Sequence, residues 1–287
     1  MTTRSPSLSI SISPESKADE VRFASLPARE GRGALTIEYR WINAESIEAP
    51  FALFLHEGLG SVAMWRDWPR QLCDRLGLRG LVYSRPGYGR STPRPHGEKW
   101  PVDFMSHQAR DVLPAFLDAL AISEADRRRM WLIGHSDGGS IALLYASAFA
   151  HRLQGAVVIA PHVFVEDISV ASIAQAKAAY EQTDLRNKLS RYHADVDSAF
   201  YGWNDIWLNA DFRAWNIVES LKSIDCPLLA VQAEDDHYGT MAQIETIAKA
   251  VKGAQLCKLA EGGHSPHRDA SQPLNDAIAQ FVARVGM

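Results

Sequence analysis

The segment Trp131-Leu132-Ile133-Gly134-His135-Ser136-Asp137-Gly138-Gly139 places a serine inside G-x-S-x-G. An apolar run leads into it, and Ser140 to Ala150 reads as a helix after it. In that context the motif is a sharp strand-to-helix turn that presents the Ser136 hydroxyl, and a Cβ at Gly134 or Gly138 would collide in so tight a bend. Free amides at the start of the helix favour negative charge beside the serine. A serine hydroxyl attacks poorly until a base takes its proton, and the base needs an acid to orient it. Two later segments offer these groups. Leu228 to Val231 runs into Gln232-Ala233-Glu234-Asp235-Asp236-His237, and Leu256 to Leu259 runs into Glu261-Gly262-Gly263-His264-Ser265-Pro266-His267. His264, on a Gly-Gly loop, is the candidate base. His267 is its nearest rival, turned differently by Pro266, and Asp235 and Asp236 both stand as candidate acids.

These side chains need a scaffold, and hydrophobic patterning predicts one. Leu35, Ile37, Tyr39 and Trp41 alternate with polar residues, which suits a half-buried antiparallel strand. Continuous apolar runs at Phe51 to Leu55, Leu81 to Tyr83, Met130 to Ile133, Ala156 to Ala160 and Leu228 to Val231 suit strands covered on both faces. Amphipathic stretches lie between them, with one face formed by Trp65, Trp68, Leu72 and Leu76. Val112 to Leu120 and Leu274 to Val285 form two more. The expectation is an α/β fold, a mostly parallel sheet flanked by helices, with sites beyond the strands' C-terminal ends. From 165 to 225 the pattern turns helical and gathers Tyr192, Phe200, Tyr201, Trp203, Trp207, Phe212 and Trp215. That stretch predicts an inserted helical cap, leaving 21–164 and 226–287 as the core and 1–20, polar and Ser-rich, as a disordered leader. Trp203 and Trp207 are candidate pocket residues of the cap.

The 287-residue chain carries Lys+Arg 30 against Asp+Glu 34, net −4, which leaves no basic excess for a polyanion and argues against nucleic acid as a partner. Its 46% hydrophobic and 22% charged residues suit a globular chain able to bury a core without disulfides. Cys73, Cys226 and Cys257 are odd in number and widely spaced, which points to reduced thiols and a cytoplasmic location. No apolar run approaches the ~20 residues of a membrane span, and the first residues lack a secretory core. HExxH, zinc-spaced Cys/His, GxGxxG and Walker loops are all missing, so neither metal nor cofactor is expected. The expected partner is a small-molecule substrate, with a monomer or homodimer as the assembly.

With further motifs the chain resembles the α/β-hydrolase fold superfamily from about residue 21 onward. Phe54-Leu55-His56-Glu57-Gly58-Leu59-Gly60-Ser61 resembles its oxyanion loop, and Tyr83-Ser84-Arg85-Pro86-Gly87-Tyr88-Gly89-Arg90-Ser91 its structural turn beside the site. The family's G-x-x-D register favours Asp236 over Asp235. The resemblance implies Ser136 as nucleophile, His264 as base, Asp236 as acid, and the Gly58 and Asp137 amides as the oxyanion hole. Among serine-nucleophile branches it is similar to the cluster of enol-lactonases, ring-cleavage-product hydrolases and the menaquinone-pathway carboxylate synthase. A carboxylic ester hydrolase acting on a small, largely apolar or aromatic ester, lactone or thioester is the expectation. A C–C bond hydrolase, a lyase of the menaquinone type and a non-catalytic receptor are its alternatives. The anionic substrates of the C–C hydrolases and the synthase would call for basic residues, for which Arg85, Arg90, Arg186, Arg191 and Arg213 are candidates. One departure stands out: Glu57 follows His56 where the family has glycine. Facing the pocket it would repel a carboxylate substrate and favour a neutral or amine-bearing one; turned outward it would bond the loop backbone. His162, where cap and core meet, is a further candidate contact.

Overall fold

The computed structural model describes residues 20–29, 33–149 and 153–286. The leader expected at 1–20 lies, up to residue 19, outside the described residues. Eight strands form one sheet: β1 (Arg22–Leu26), β2 (Leu35–Ile42), β3 (Phe51–Leu55), β4 (Arg79–Tyr83), β5 (Trp131–His135), β6 (Gly155–Ile159), β7 (Leu228–Ala233) and β8 (Gln255–Leu259). Their order is β1-β2-β4-β3-β5-β6-β7-β8. β2 pairs antiparallel with both β1 and β4, and every pairing from β4 to β8 is parallel. β3, β5 and β6 are buried at every position because helices cover both faces, which explains their uninterrupted apolar sequences.

One face carries α1 (Trp68–Leu76) and α12 (Ser271–Val285), which contact each other and bury Leu72, Leu274, Ile278 and Phe281. The other carries α2 (Phe104–His107), a π-helical turn Gln108–Val112, α3 (Leu113–Ala119) and α5 (Asp137–Ala148). The short α4 (Glu124–Arg128) precedes β5, α10 (Ala242–Ala250) packs against β7 and β8, and α11 (Pro266–Asp269) leads into α12. α5 begins at Asp137, earlier than the expected Ser140. Its first turn is anchored by the Ser140 amide donating to the Ser136 carbonyl at 3.1 Å.

Between β6 and β7 the chain leaves the sheet as α6 (Asp167–Gln182), α7 (Leu185–Leu189), α8 (Val196–Trp207) and a 3-10 turn Ala210–Ala214. It returns through an antiparallel bridge between Phe164 and Asn216, then α9 (Val218–Leu221), which packs on α5 and α10. Most of the excursion's aromatics form its own core: Tyr180 stacks on Phe200 at 3.7 Å and Phe212 on Trp215 at 5.3 Å. Among the described residues, no helix is long and apolar enough to cross a membrane.

Candidate active site

Ser136 ends the buried β5 and caps α5 with φ 53° and ψ −121°, a conformation that a side chain adopts only under constraint. The constraint is visible around it. Its amide donates to the Ile159 carbonyl at 2.9 Å, and a Cβ on Gly138 would overlap the Leu55 carbonyl of β3. His264 stands opposite, on the loop after β8. Its Nε2 lies 2.9 Å from Ser136 Oγ, and its Nδ1 lies 2.9 Å and 3.0 Å from the two Asp236 carboxylate oxygens. Nδ1–H donating to Asp236 leaves the Nε2 lone pair facing the serine hydroxyl.

Asp236 is held on all sides. Oδ1 accepts from the Tyr238 amide at 2.7 Å and Oδ2 from Gln232 Nε2 at 2.8 Å. Asp235 has a different task, its Oδ1 accepting from the Gly263 amide at 2.8 Å. The structure thus puts Asp236, not Asp235, on the histidine ring. His267 does not reach Ser136; it is buried, its ring 5.1 Å from Trp65 and 4.8 Å from His135.

Burial pushes the His264 ring below its ordinary pKa, against the opposing pull of Asp236. The ring is therefore neutral, and able to accept a proton, at neutral pH. Burial alone would raise the Asp236 carboxyl, but the His264 bond and charge and the Tyr238 amide hold it below the usual range. Asp137, fully buried, is pushed up to about 6 by burial, with Arg85 pulling the other way from 3.8 Å.

A cavity of about 380 Å³ opens above these groups, lined by Glu57, Gly58, Ser136, Asp137, His162 and His264 from the sheet side. Trp203 and Trp207 of α8 and Ile173 of α6 close it from above. The Trp203 indole packs so tightly on Gly58 that a Cβ there would overlap it. Trp207 Nε1 donates to Asp137 Oδ1 at 3.1 Å, and its ring meets that of His162 at 4.9 Å. His162 is both packed and cavity-lining, and burial drives its pKa down to about 3. Asp137 opens α5, so its amide has no partner within the helix.

Glu57 faces inward rather than to the loop backbone. It lines the cavity with Oε2 3.5 Å from His135 Nδ1. None of the five candidate arginines lines the cavity. Arg85 is buried, its NH2 group donating to the Glu57 carbonyl; Arg90 pairs with Glu38, Arg186 with Asp197 and Arg213 with Asp167. Sequence patterning missed Tyr238, whose ring lies 4.7 Å from His264, and Met64 and Arg268 of the lining. It also passed over His135, whose position inside G-x-S-x-G carries no compositional signal.

The turn Ser84–Ser91 is tied to β2, with Ser84 Oγ donating to Glu38 Oε2 at 2.7 Å and Ser91 Oγ to the Ser84 carbonyl at 2.6 Å. It supports the site from the side, as its resemblance to the family's structural turn implies.

Comparison with known proteins agrees with this architecture. The chain is 25% identical over 214 residues to the human serine hydrolase BPHL, covering 70% of this chain and 68% of that protein. It is 24% identical over 268 residues to the bifunctional esterase/perhydrolase DCH of Acinetobacter calcoaceticus, covering 82% and 92%. Among solved structures, the enol-lactonase of Burkholderia xenovorans LB400 shares the fold with a TM-score of 0.68 at 17% identity, covering 87% of this chain and 97% of that one. The sequence profile described as the alpha/beta hydrolase family matches residues 52–277, the whole span from β3 into α12. With the sheet order, the strand–serine–helix turn and this match in agreement, the chain belongs to the alpha/beta hydrolase family.

Proposed function

We propose that this protein is a serine hydrolase that cleaves small, largely apolar or aromatic carboxylic esters, lactones or thioesters through an acyl-enzyme on Ser136. The observation that carries this reading is the unbroken series Asp236–His264–Ser136, with each link 2.9 Å long and the serine opening into a cavity. Ser136 Oγ attacks the carbonyl carbon while His264 Nε2 takes its proton, and the Gly58 and Asp137 amides receive the oxyanion. His264 then protonates the leaving group, and water repeats the sequence to release the acid. The helices between the Phe164–Asn216 bridge ends act as the cap, and Trp203, Trp207 and Ile173 form an apolar roof over the acyl or leaving group.

The cavity's charge supports a preference for neutral substrates. Glu57, Asp137 and Asp269 line it with Arg268, none of the five candidate arginines reaches the lining, and Arg90, Arg186 and Arg213 pair with other carboxylates. A fluorophosphonate probe should label the protein and fail on S136A. A panel of p-nitrophenyl esters with aryl esters, lactones and thioesters should show turnover with a chain-length cutoff, and neutral or cationic esters should outpace anionic ones. Equal labelling of S136A would end the nucleophile assignment. Turnover of ring-cleavage products without ester turnover would replace this reaction by C–C bond hydrolysis.

A further inference from the structure

Beside the serine lies a second carboxylate and imidazole that the reaction above leaves unused. The His135 ring is fully buried. Its Nε2 is 2.6 Å from the backbone carbonyl oxygen of His264, a group that can only accept, so Nε2 carries a hydrogen. Its Nδ1 faces Glu57 Oε2 at 3.5 Å. A neutral ring beside an ionised Glu57 would set the lone pair of a fully buried ring against a carboxylate whose side chain is only 23% exposed. One proton between the two groups removes that conflict.

The surrounding groups leave His135 as the ring that shares it. His56 donates from Nδ1 to the Glu57 carbonyl at 2.7 Å and accepts at Nε2 from the Arg85 amide at 2.9 Å, which fixes it as one neutral tautomer. His267, against Trp65 and with Arg268 nearby, is driven by burial down to about 3. The His264 ring is 5.2 Å away with Asp236 behind it, and Asp137 with Arg85 completes the charged surroundings.

The backbone supplies the reason such a couple would matter. Gly262 and Gly263, just ahead of His264, have φ of 140° and 54°, backbone conformations that favour glycine and leave the bend with few intrinsic constraints on its shape. Two contacts pin it, Asp235 on the Gly263 amide and His135 on the His264 carbonyl. Glu57 extends the second pin to the loop bearing Gly58.

We propose that Glu57 and His135 form a second carboxylate–histidine couple, sharing one proton, which positions His264 and ties the base loop to the oxyanion loop. The inference rests on His264 being the base; Glu57 and His135 are positioning residues that touch no reacting atom. A couple that holds one proton has no net charge, and in E57Q a neutral His135 beside a neutral amide has none either. The acid limb of kcat/KM for a neutral ester should therefore stay within ~0.2 pH units in E57Q. H135Q leaves Glu57 ionised and alone, so the limb should move upward while kcat falls about 10–100-fold at little change in KM, as expected for a misplaced base.

A downward move of the limb by half a unit or more in E57Q would mean Glu57 is an uncompensated anion and would overturn the proposal. So would an H135Q variant with unchanged limb and kcat. If H135Q does not fold, E57Q decides alone. A slowly exchanging imidazole N–H signal, present in wild type and S136A and lost in H135Q, reports the His135–His264 bond without turnover. If H264N retains wild-type ester turnover, the reading of the base fails, and this signal still tests the bond; its absence would overturn the pin.

Discussion

Each nitrogen of the His264 ring has one partner, and this makes the two adjacent aspartates unequal. Asp236 fixes the tautomer that leaves Nε2 free for Ser136, whereas Asp235 only braces the Gly263 amide. D236N should reduce kcat/KM by ~10³–10⁴, and D235N, whose amide oxygen can still accept from Gly263, by no more than about threefold. Steady-state assays of both variants on one neutral ester give the comparison. The sign of the pH effect follows from the same ring. The base must be neutral, and burial sets its pKa below 6.5, so kcat/KM should be level at neutral pH and fall only in a limb below 6.5. At this scale the sequence spoke unevenly. Ser136 and His264 were legible because glycines flank them for steric reasons, and Asp236 was legible only through a family register. His135 was not, since its partner is a carbonyl 129 residues further along the chain.

The turn from β5 into α5 works because neighbouring backbone leaves no room for side chains. At Gly138 the obstacle is the β3 carbonyl of Leu55, part of the sheet and unable to give way. G138A should cost about 3 kcal/mol of stability and most of the ester turnover. At Gly77, with φ 64° and open space around it, alanine should cost only about 1–2 kcal/mol, with turnover kept. Urea midpoints of the two variants give the contrast. The central strands were readable because β3, β5 and β6 are apolar throughout, a pattern that burial on two faces demands. β1 escaped notice because only Ala24 and Leu26 point inward, and β2 supplies the rest of its reason to exist. The role of α8 was readable only as a cluster of aromatics. Tertiary packing decides that Trp203 and Trp207 meet the cavity while Phe200 stacks on Tyr180 and Phe212 packs between Trp215 and Phe104 of α2.

Across the whole molecule, several histidines are folded away as neutral rings. His162, where the excursion meets the sheet, and His267, against α1, both have pKa values lowered by burial to about 3. Unfolded, each would titrate near 6.5, so the unfolded chain binds the extra protons as pH drops. Their contribution is fully present above 6.5 and is lost as pH falls towards 3, on the order of 2 kcal/mol for each by pH 5. Urea midpoints measured at pH 7 and pH 5 should show the loss, and replacing His267 by phenylalanine should lessen it. The excursion itself hangs from a closed neck: Phe164 bridges Asn216, and the Ile217 amide donates to the Val163 carbonyl at 2.9 Å. Because the neck is tied, lengthening the segment beyond it adds only the slowly growing cost of a larger loop, ~0.6 kcal/mol per doubling. Insertions away from Trp203 and Trp207, which touch Gly58 and Asp137, leave the sheet and the serine at its centre as they are, so the roof of the cavity can grow without its floor being rebuilt.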